Sequence, residues 1–370
     1  MKLPVSRSPQ MLQRYGGRDV SPAARSGENG VIRYGMSLGK RLGARLTARQ
    51  VDLLLGVAAT AAVGTGLASW AVGTGWGRWL TVTHALAGLS LLALAPAKLR
   101  GSVRTGLKRR RATRWLSMLL GALVTATVVL GVLHATGLWH GVGYWSALWT
   151  HVLLVALVAP LLVWHIASRP GRPKLADLDR RAFVGGGLAL VAAGAAYWVQ
   201  QLVVGDNRRF TGSHEIGSFN PAEMPTTMWL NDRSPSVAAS DWELTVAGEP
   251  VKLETLGAQA APLAADLDCT GGWWSRQSWD AVPLAELLPE SDAPTLEVTS
   301  LTGYSRLFPA RDAANLYLAV GYGGEPLRRG HGAPVRLVAP GRRGFWWVKW
   351  VSSIEPVSRP WWLQLPFPAE

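Results

Sequence analysis

The sequence predicts a membrane α-helical bundle of five transmembrane helices, followed by a mixed α+β domain outside the bilayer. Five apolar runs occur before Gly205, and each has about the ~20 residues that a helix needs to cross a bilayer. Beyond Gly205, short β-branched runs alternate with Pro and Gly turns, which is typical of strands in a globular domain. The charge changes at the same point, from 24 Lys and Arg against 5 Asp and Glu to 14 against 19.

These features divide the chain into four segments. Residues 1–50 are rich in Arg, Gly and Ser, and we expect them to be disordered. Residues 51–168 form a four-helix membrane domain, residues 169–205 an arginine pair and a fifth helix, and residues 206–370 the globular domain. The predicted transmembrane helices are Asp52–Val72, Trp79–Leu99, Trp115–Gly137, Trp145–Ala167 and Ala182–Val204. The predicted strands are Trp242–Val246, Thr295–Thr299, Val335–Val338 and Phe345–Trp350, with Leu284–Leu288 as a short helix.

Basic residues are concentrated in two of the loops between the apolar runs. Eight Lys and Arg residues lie from Lys98 to Arg114 without an acid, and five more lie between Arg169 and Arg181. Cytoplasmic loops carry such an excess, so five crossings of the cell membrane place the C-terminal domain on the extracytoplasmic side. We therefore attribute the net charge of +14 to basic loops beside a lipid bilayer, which is the expected partner. Nucleic acid is not an expected partner.

Two histidines lie at a similar depth inside apolar runs. His84 is about one turn from the outer end of the second run, and His151 is at a similar depth in the fourth. Histidine is costly inside a bilayer and marks a functional site there. The arrangement resembles the haem b membrane domains of respiratory cytochromes, which implies that His84 and His151 are the axial ligands of a haem b iron. The alternative is that they form only hydrogen bonds between helices.

Other histidines leave further arrangements open. His165 lies 14 residues beyond His151 on the same helix face, which is the spacing used for two stacked haems. The matching position on the second run is Lys98, so a second haem site is incomplete. His134 and His140, near the outer end of the third run, are further candidates for iron ligation or proton transfer.

An arginine pair, Arg180 and Arg181, directly precedes the fifth apolar run. With Phe183 two residues later, the pair resembles a twin-arginine export signal. Such a signal suits a domain that receives its cofactor in the cytoplasm and crosses the membrane folded. Ordinary positive-inside flanking is the alternative explanation. No cleavage site is evident, so we expect the fifth helix to remain as an anchor.

The globular half contains the only cysteine of the chain, Cys269, which is followed by Thr270, Gly271 and Gly272. A lone cysteine cannot form a disulfide within the chain, and the two glycines let the backbone close tightly around a bulky group. Thiolate is a soft ligand that suits molybdenum or copper. A buried cysteine that only fills space is the alternative.

A second motif reads HGAPVR from His331 to Arg336, and a Val-Lys-Trp run is centred on Lys349. Together with Cys269, these stretches resemble the molybdopterin domain of the sulfite oxidase family, over roughly residues 207–360. The resemblance implies a molybdenum–molybdopterin cofactor (Moco), with Cys269 as the protein ligand to molybdenum. It also implies that His331, Arg336 and Lys349 contact the cofactor, because Arg forks onto phosphate and Lys supplies a point charge.

The same resemblance implies further site residues. Thr270, next to the ligand cysteine, is assigned to cofactor binding. Arg209 and Ser213 belong to an opening segment that we expect to lie along the pterin. Tyr304 and Arg306 lie in a stretch that resembles the loop closing over the metal, and we expect them to act catalytically on the substrate side. Turn formation and core packing are their alternative roles.

The sequence departs from the family pattern in three places. Gly272, Trp273 and Trp274 stand where sulfite oxidases carry an Asn-Arg-Arg run that binds the anionic substrate, so sulfite is a poor candidate. Trp347 stands where they carry a small hydroxyl residue. The sequence also ends soon after Trp362, and no room is expected for the family's immunoglobulin-like dimerisation domain.

The predicted function is that of a membrane-anchored molybdenum oxidoreductase that transfers oxygen atoms on an extracytoplasmic substrate. Haem b would connect this reaction to the quinone pool or another membrane electron carrier. One alternative is a sulfoxide reductase, of the methionine sulfoxide type, which runs in the opposite direction. A non-catalytic, membrane-tethered binding module is another. A small-solute transporter is disfavoured by the odd number of helices and by the large outer domain.

Overall fold

A computed structural model of the chain describes residues 45–100, 104, 108, 114–143, 145–168, 174–205, 207–228 and 232–365. The predicted disordered segment, residues 1–50, lies almost entirely outside the described residues. Among the residues described, five helices are long and apolar enough to cross a membrane, which confirms the predicted helical half. They are α1 (Ala48–Ala71), α2 (Gly77–Lys98), α3 (Arg114–Thr136), α4 (Ala147–Ala167) and α5 (Arg180–Val203).

The helices form a bundle in which α1 packs along α2, α3 along α4 and α5 against α2. Thr47 caps α1 and Asp179 caps α5. The Gln50 side chain donates a hydrogen bond to Asp179 at 2.8 Å, so α1 and α5 begin at the same end of the bundle. Lys98, at the end of α2, forms an ion pair with Asp52 near the start of α1. The end of α2 and the start of α5, which flank the two basic connections in the sequence, therefore lie at this end.

The rest of the described chain forms short strands and one short helix. The strands are β1 (Gly141–Val142), β2 (Trp145–Ser146), β3 (His214–Glu215), β4 (Leu244–Val246), β5 (Glu249–Val251), β6 (Ala261–Asp268), β7 (Trp273–Pro283), β8 (Thr295–Ser300), β9 (Ser305–Pro309), β10 (Tyr317–Tyr322), β11 (Glu325–Pro326), β12 (Arg336–Val338) and β13 (Val351–Val357), and the helix is α6 (Leu253–Gln259). A small hairpin, β1–β2, lies between α3 and α4.

Two sheets build the globular half. The first has the order β11-β10-β7-β3, with β12 also paired to β10 and β6 to β7, and the second has the order β5-β4-β13-β8-β9. Only the β3–β7 and β4–β13 pairs are parallel among these described strands. Large aromatic side chains fill the core, where Trp279 stacks on Tyr322 at 5.7 Å between ring centres and meets Trp347 at 5.6 Å. Burying such large rings stabilises the sheet whose loops carry the site.

Three of the four predicted strands occur, as β4, β8 and β12, with ends shifted by one or two residues. The fourth prediction, Phe345–Trp350, is wrong. Phe345 and Trp346 end a 3₁₀ turn that begins at Gly344, and Trp350 has a positive φ of 49°. Consecutive residues of this run are buried, so its aromatic composition reflects core filling and not the alternation of a strand.

The predicted short helix at Leu284–Leu288 is a single 3₁₀ turn, Leu284–Glu286. It directly follows Pro283, the last residue of β7, and Pro289 lies shortly beyond it. Proline is poorly compatible with the residues that precede it being helical, so the helix does not continue.

The globular half contacts the end of the bundle opposite to the basic connections. Val72, just after α1, pairs with Arg342 in an antiparallel bridge, and the Gly73 N–H donates to the Gly341 carbonyl at 3.1 Å. A Cβ atom on Gly73 would lie 2.9 Å from the Arg342 backbone, so glycine is required for this close approach. Backbone hydrogen bonds therefore connect the helix ends directly to the loops of the globular half.

Candidate functional site

Cys269 lies in the tight turn that joins β6 and β7. Its N–H donates to the Trp273 carbonyl at 2.8 Å, and the Gly272 N–H donates to the Cys269 carbonyl at 3.1 Å. Gly272 has a φ of +92°, which suits glycine and few other residues. Burial raises the pKa of the Cys269 thiol, and hydrogen bonds from the Gly271 N–H and the Thr227 hydroxyl act in the opposite direction. A bound metal would displace the proton and use the sulfur as a thiolate.

Lys349 is a largely buried cation beside this turn. Its ammonium donates to the Gly330 carbonyl at 2.6 Å and to the Thr227 carbonyl at 2.9 Å. None of the ion pairs among the described residues includes it. Burial, followed by repulsion from Arg336, lowers the pKa of Lys349 to about 7. The amine therefore occupies a place where a full positive charge is costly without an anion nearby.

Arg336 is a second buried cation, held between the rings of Trp279 and Trp347 at 4.9 and 5.6 Å. It donates to the His331 carbonyl at 3.0 Å, and its Nε is buried without a hydrogen-bond partner. Burial lowers the pKa of Arg336 to about 10. Trp347, which departs from the family pattern, thus forms one wall of the slot that holds this guanidinium.

His331 completes the group from the motif. Its ring nitrogens contact the Thr226 hydroxyl at 3.0 Å and the Tyr322 hydroxyl at 2.7 Å. Burial, followed by the positive charges of Arg336 and Lys349, lowers the pKa of His331 to about 4. The imidazole is therefore neutral at physiological pH and serves as a hydrogen-bonding group.

The structure brings Cys269, His331, Arg336 and Lys349 around one space, and the donor set fits an anionic cofactor. Buried Arg336 and half-buried Lys349 form no ion pair within the described residues, the Nε of Arg336 has no hydrogen-bond partner, and a thiol lies beside them. A buried charge without a counter-ion is unfavourable, so an anion would be stabilising here. The phosphate of molybdopterin and a soft metal at sulfur would supply what these side chains lack.

A second network surrounds Asp268, the residue before Cys269. Its carboxylate accepts hydrogen bonds from Ser213 at 2.8 Å and Thr211 at 2.9 Å. Arg209 and Arg343 approach it at 3.2 and 3.5 Å. The opening segment therefore reaches the cysteine turn through Asp268. Arg209 and Ser213 are bound to this carboxylate, and their contact with a pterin stays a prediction.

Tyr304 and Arg306 lie behind the aromatic run that precedes Lys349. The Tyr304 hydroxyl donates to the Phe345 carbonyl, and burial raises the pKa of Tyr304 above its usual range. Arg306 lies over the Trp346 ring at 4.3 Å and donates to the Leu365 carbonyl at 3.2 Å. Both side chains are bound to main-chain carbonyls in this structure, and their catalytic role stays a prediction. Thr270 is buried in the cysteine turn.

Three residues that contact the site were not selected from the sequence. Thr227 accepts a hydrogen bond from Trp273 Nε1 at 3.0 Å and lies beside the Cys269 sulfur, and Thr226 contacts His331. Arg343 donates to the Cys269 carbonyl at 3.2 Å. For Arg343, the sequence signal that could have been used is the Arg342–Arg343 pair, which lies between two glycines. The threonines carry no motif that separates them from other polar loop residues.

His84 and His151 face each other inside the bundle. Their ring centres are 5.9 Å apart with an angle of 82° between the planes. Each Nδ1 contacts a carbonyl oxygen, of Ala62 at 2.7 Å and of Thr127 at 2.8 Å, and therefore carries the proton, which leaves each Nε2 with a lone pair. Two imidazoles that share one metal have centres ~6 Å apart, since each metal–nitrogen bond is ~2 Å. The ring separation is therefore compatible with two imidazoles that bind one metal ion, and haem ligation by His84 and His151 stays a prediction.

The turn that carries Cys269 packs against the end of α3 and the start of α4. A Cβ atom on Gly272 would lie 3.0 Å from His134 Cε1 in α3 and 3.7 Å from Leu148 Cβ in α4. Leu148 is one helical turn before His151. The candidate metal turn and the histidine pair are therefore separated by little more than one layer of side chains.

The remaining candidates lie elsewhere. His165 Nδ1 contacts the Ser117 hydroxyl at 3.4 Å, near the end of the bundle that carries the basic connections. His140 lies in the connection after α3, with its ring 4.5 Å from that of His214. Arg180 and Arg181 are the first two residues of α5.

Comparison with known proteins identifies the globular half. Residues 231–362 match the family model described as the oxidoreductase molybdopterin binding domain. Two curated relatives are catalytic subunits of protein-methionine-sulfoxide reductase, MsrP, from Xanthomonas campestris pv. campestris and Xanthomonas axonopodis pv. citri. Each is 30% identical over 148 residues, which cover 32% of this chain and 46% of the relative. The chain thus spans less than half the length of these relatives.

A solved structure is also similar. The sulfane dehydrogenase SoxCD from Paracoccus pantotrophus is 24% identical to this chain, with a TM-score of 0.32. The match covers 34% of this chain and 40% of that one.

Proposed function

We propose that the chain is a membrane-anchored molybdenum enzyme that transfers oxygen atoms on an extracytoplasmic substrate, because residues 231–362 match the family model of the oxidoreductase molybdopterin binding domain. One observation carries the proposal: buried Arg336 and half-buried Lys349 form no ion pair within the described residues and lie beside the only thiol of the chain. A non-catalytic binding module would have no need to keep two such cations together, since each destabilises the empty fold.

Moco supplies two-electron oxygen-atom transfer when it is bound. In this chain Cys269 would ligate the metal, and the Gly271 N–H and Thr227 hydroxyl would stabilise its thiolate. Lys349 and Arg336 would neutralise the phosphate and the charge of the pterin. Neutral His331, fixed by Tyr322, would orient the group through hydrogen bonds. Each role follows from a donor that is already in place.

For the direction of the reaction, we propose sulfoxide reduction. The curated relatives are protein-methionine-sulfoxide reductases, and sequence similarity to them supports this direction. The chain also replaces the anion-binding run of sulfite oxidases by Gly272, Trp273 and Trp274, of which Trp273 is buried. A neutral sulfoxide needs no cationic run beside the metal. The balanced reaction is sulfoxide plus two protons and two electrons, which gives a thioether and water.

We further propose that His84 and His151 would hold a haem b, which when bound would supply one-electron transfer between the quinone pool and the molybdenum domain. The protonated Nδ1 atoms and the 5.9 Å ring separation support this assignment. Gly66 and Gly131 also support it, because a Cβ atom at these positions would lie 3.0 and 3.2 Å from the two imidazole Cε1 atoms. Small residues next to axial histidines leave room for a macrocycle.

The test is an assay of the purified full-length protein with reduced viologen as electron donor. Methionine sulfoxide and an oxidised methionine-containing peptide are offered as substrates, and molybdenum and iron contents are measured. We expect sulfoxide-dependent viologen oxidation, about one molybdenum per chain and a b-type absorption band. Sulfite oxidation without sulfoxide reduction would overturn the direction, and absence of molybdenum in a cofactor-replete host would overturn the enzyme assignment.

A further inference from the structure

A cleft with several polar side chains lies where the bundle meets the globular half, away from Cys269. Its volume is about 450 Å³. It is lined by residues from the ends of α3 and α5, from the connection after α3 and from the segment that opens the globular half: Thr136, Gly137, His140, Val203, Gly205, Asn207, Arg208, His214 and Glu215. None of these residues has a role in the Moco site described above.

The cleft contains groups that accept protons. The rings of His140 and His214 are 4.5 Å apart, and Glu215 supplies a carboxylate. Burial, followed by the charges of His140 and Arg208, lowers the pKa of His214, so its imidazole is neutral at physiological pH. Two imidazoles and a carboxylate suit a ligand that gives up protons when it reacts.

An anionic headgroup fits this cleft poorly. Arg208, the cation among the lining residues, donates to the carbonyls of His134 and Gly212, both at 2.5 Å. Its Nη1 is therefore engaged with the backbone, and Glu215 adds negative charge to the wall. A neutral ligand with hydroxyl groups is a better match than a phosphate.

The position of the cleft also suits a lipid-soluble ligand. Val203 ends α5, and Thr136 ends α3, so the opening lies at the level where two apolar helices leave the bundle. The α5 surface that leads to it is apolar and open, with Val199 54% and Leu202 66% exposed. An apolar tail could lie along this surface while the polar headgroup occupies the cleft.

We infer that this cleft binds the headgroup of an isoprenoid quinol, with its two hydroxyl groups directed at the His140–His214 pair and Glu215. The inference rests on the proposed function and adds to it the place where electrons enter. Quinol loses two protons and two electrons and becomes quinone. The protons go to the imidazole and carboxylate groups and then to solvent, and the electrons go to the sulfoxide, which takes up two protons from solvent and becomes thioether and water.

The cleft is directly connected to the metal turn. The His214 N–H donates to the Gly272 carbonyl at 3.1 Å, and Arg208 holds the carbonyl of His134, whose ring contacts Gly272. A quinol headgroup beside His214 would therefore be one backbone hydrogen bond from the Cys269–Gly272 turn. This continuity distinguishes the cleft from a lipid-binding groove on the outside of the bundle.

The experiment compares two electron donors in full-length protein reconstituted in lipid discs. Sulfoxide reduction is driven by reduced viologen or by a short-tailed naphthoquinol, and the ratio of the two rates is the readout. We expect His140→Phe and Glu215→Gln each to lower the quinol-to-viologen ratio at least ~10-fold, which corresponds to ~1.4 kcal/mol of lost binding or transition-state stabilisation. Glu249→Gln, which changes an exposed carboxylate on β5 outside the cleft, is the matched control and should keep the parent ratio.

A binding measurement makes the inference independent of turnover. Oxidised short-tailed naphthoquinone is titrated into each protein, and tryptophan fluorescence quenching gives its affinity. Weaker binding by both cleft variants and parent affinity for the Glu249→Gln control support the inference even if no sulfoxide is reduced. Equal naphthoquinone affinity in parent and cleft variants overturns it, as does an unchanged rate ratio. If the parent protein shows no sulfoxide reduction with reduced viologen, this result would instead count against the proposed function.

Discussion

Lys349 gives the Moco site a pH dependence that can be measured without any substrate. In the cofactor-free protein its ammonium has two carbonyl partners, no carboxylate ion pair among the described residues and Arg336 as a repelling neighbour. These surroundings lower its pKa from 10.5 to about 7. We therefore expect the globular half of the empty protein to become more stable as the pH rises above 7.

Proton linkage gives the sign and the size of the change in the free energy of unfolding with pH. The folded pKa is depressed, so below pH 7 the amine is charged in both states and the full cost of burying it is present. Each pKa unit corresponds to ~1.4 kcal/mol, so this cost is at most about 5 kcal/mol. Between pH 7 and 8.5 the unfolded chain binds more protons at this site, and the free energy of unfolding should rise by ~1.5 kcal/mol.

The pH range from 7 to 8.5 was chosen so that the titration of His331 and Cys269 contributes little to the slope. His331, with a pKa of about 4, has lost its proton well below pH 7. The pKa of the Cys269 thiol is raised from 9.0, and its contribution has the opposite sign and begins only near that value. The slope between pH 7 and 8.5 therefore reports mainly on Lys349.

The assay is urea unfolding of detergent-solubilised full-length protein from a host that cannot make the cofactor, followed by tryptophan fluorescence. Lys349→Met should abolish the rise between pH 7 and 8.5. Lys252→Met, which changes the other, exposed lysine of the globular half, should keep it. Cofactor-loaded protein should also lack the rise, because a bound anion keeps the ammonium charged. A parent slope that persists in Lys349→Met would refute the reasoning.

Three further predictions concern other parts of the chain. Cys269→Ser should lower sulfoxide reduction at least ~100-fold, because oxygen replaces a soft thiolate donor, while circular dichroism stays as in the parent. His84→Ala and His151→Ala should each remove the b-type band from reduced-minus-oxidised spectra of haem-replete membranes, and an unchanged band in both would contradict the assignment. Replacing Arg180 and Arg181 together by Lys should keep four helices inserted but leave the globular half inaccessible to external protease; cleavage as efficient as in the parent would make the pair a topology anchor only.

The helical half could be predicted from sequence because one property decides it. A run of about twenty apolar residues determines a helix wherever backbone groups must be satisfied internally, and all five runs became helices. The stretches that contain Cys269, His331, Arg336 and Lys349 were also readable, since each is a short run whose residue types are rare in such combinations. The resemblance to the family predicted that these four residues lie close together, and their contacts agree with that prediction.

What the sequence did not reveal depends on contacts between distant segments. Thr227 is 42 positions before Cys269, and only the folded chain places its hydroxyl beside the sulfur. Arg343 reaches the Cys269 carbonyl from a loop beyond β12. The aromatic run at Phe345–Trp350 has strand-like composition, yet the core needs bulky side chains on successive residues there. Neither the strand propensity of these residues nor the spacing of apolar residues along the sequence indicates that the core needs successive bulky side chains.

The shared position of the cleft and the cysteine turn has a consequence for energy conservation. The His214–Gly272 hydrogen bond places both at the same end of the bundle, whichever side of the bilayer that end faces. With quinol oxidised in the cleft and sulfoxide reduced beside Cys269, protons would be released and consumed in the same compartment. Electrons would likewise begin and end their path on one side. Turnover would then move no net charge across the membrane, and its rate would be insensitive to the membrane potential.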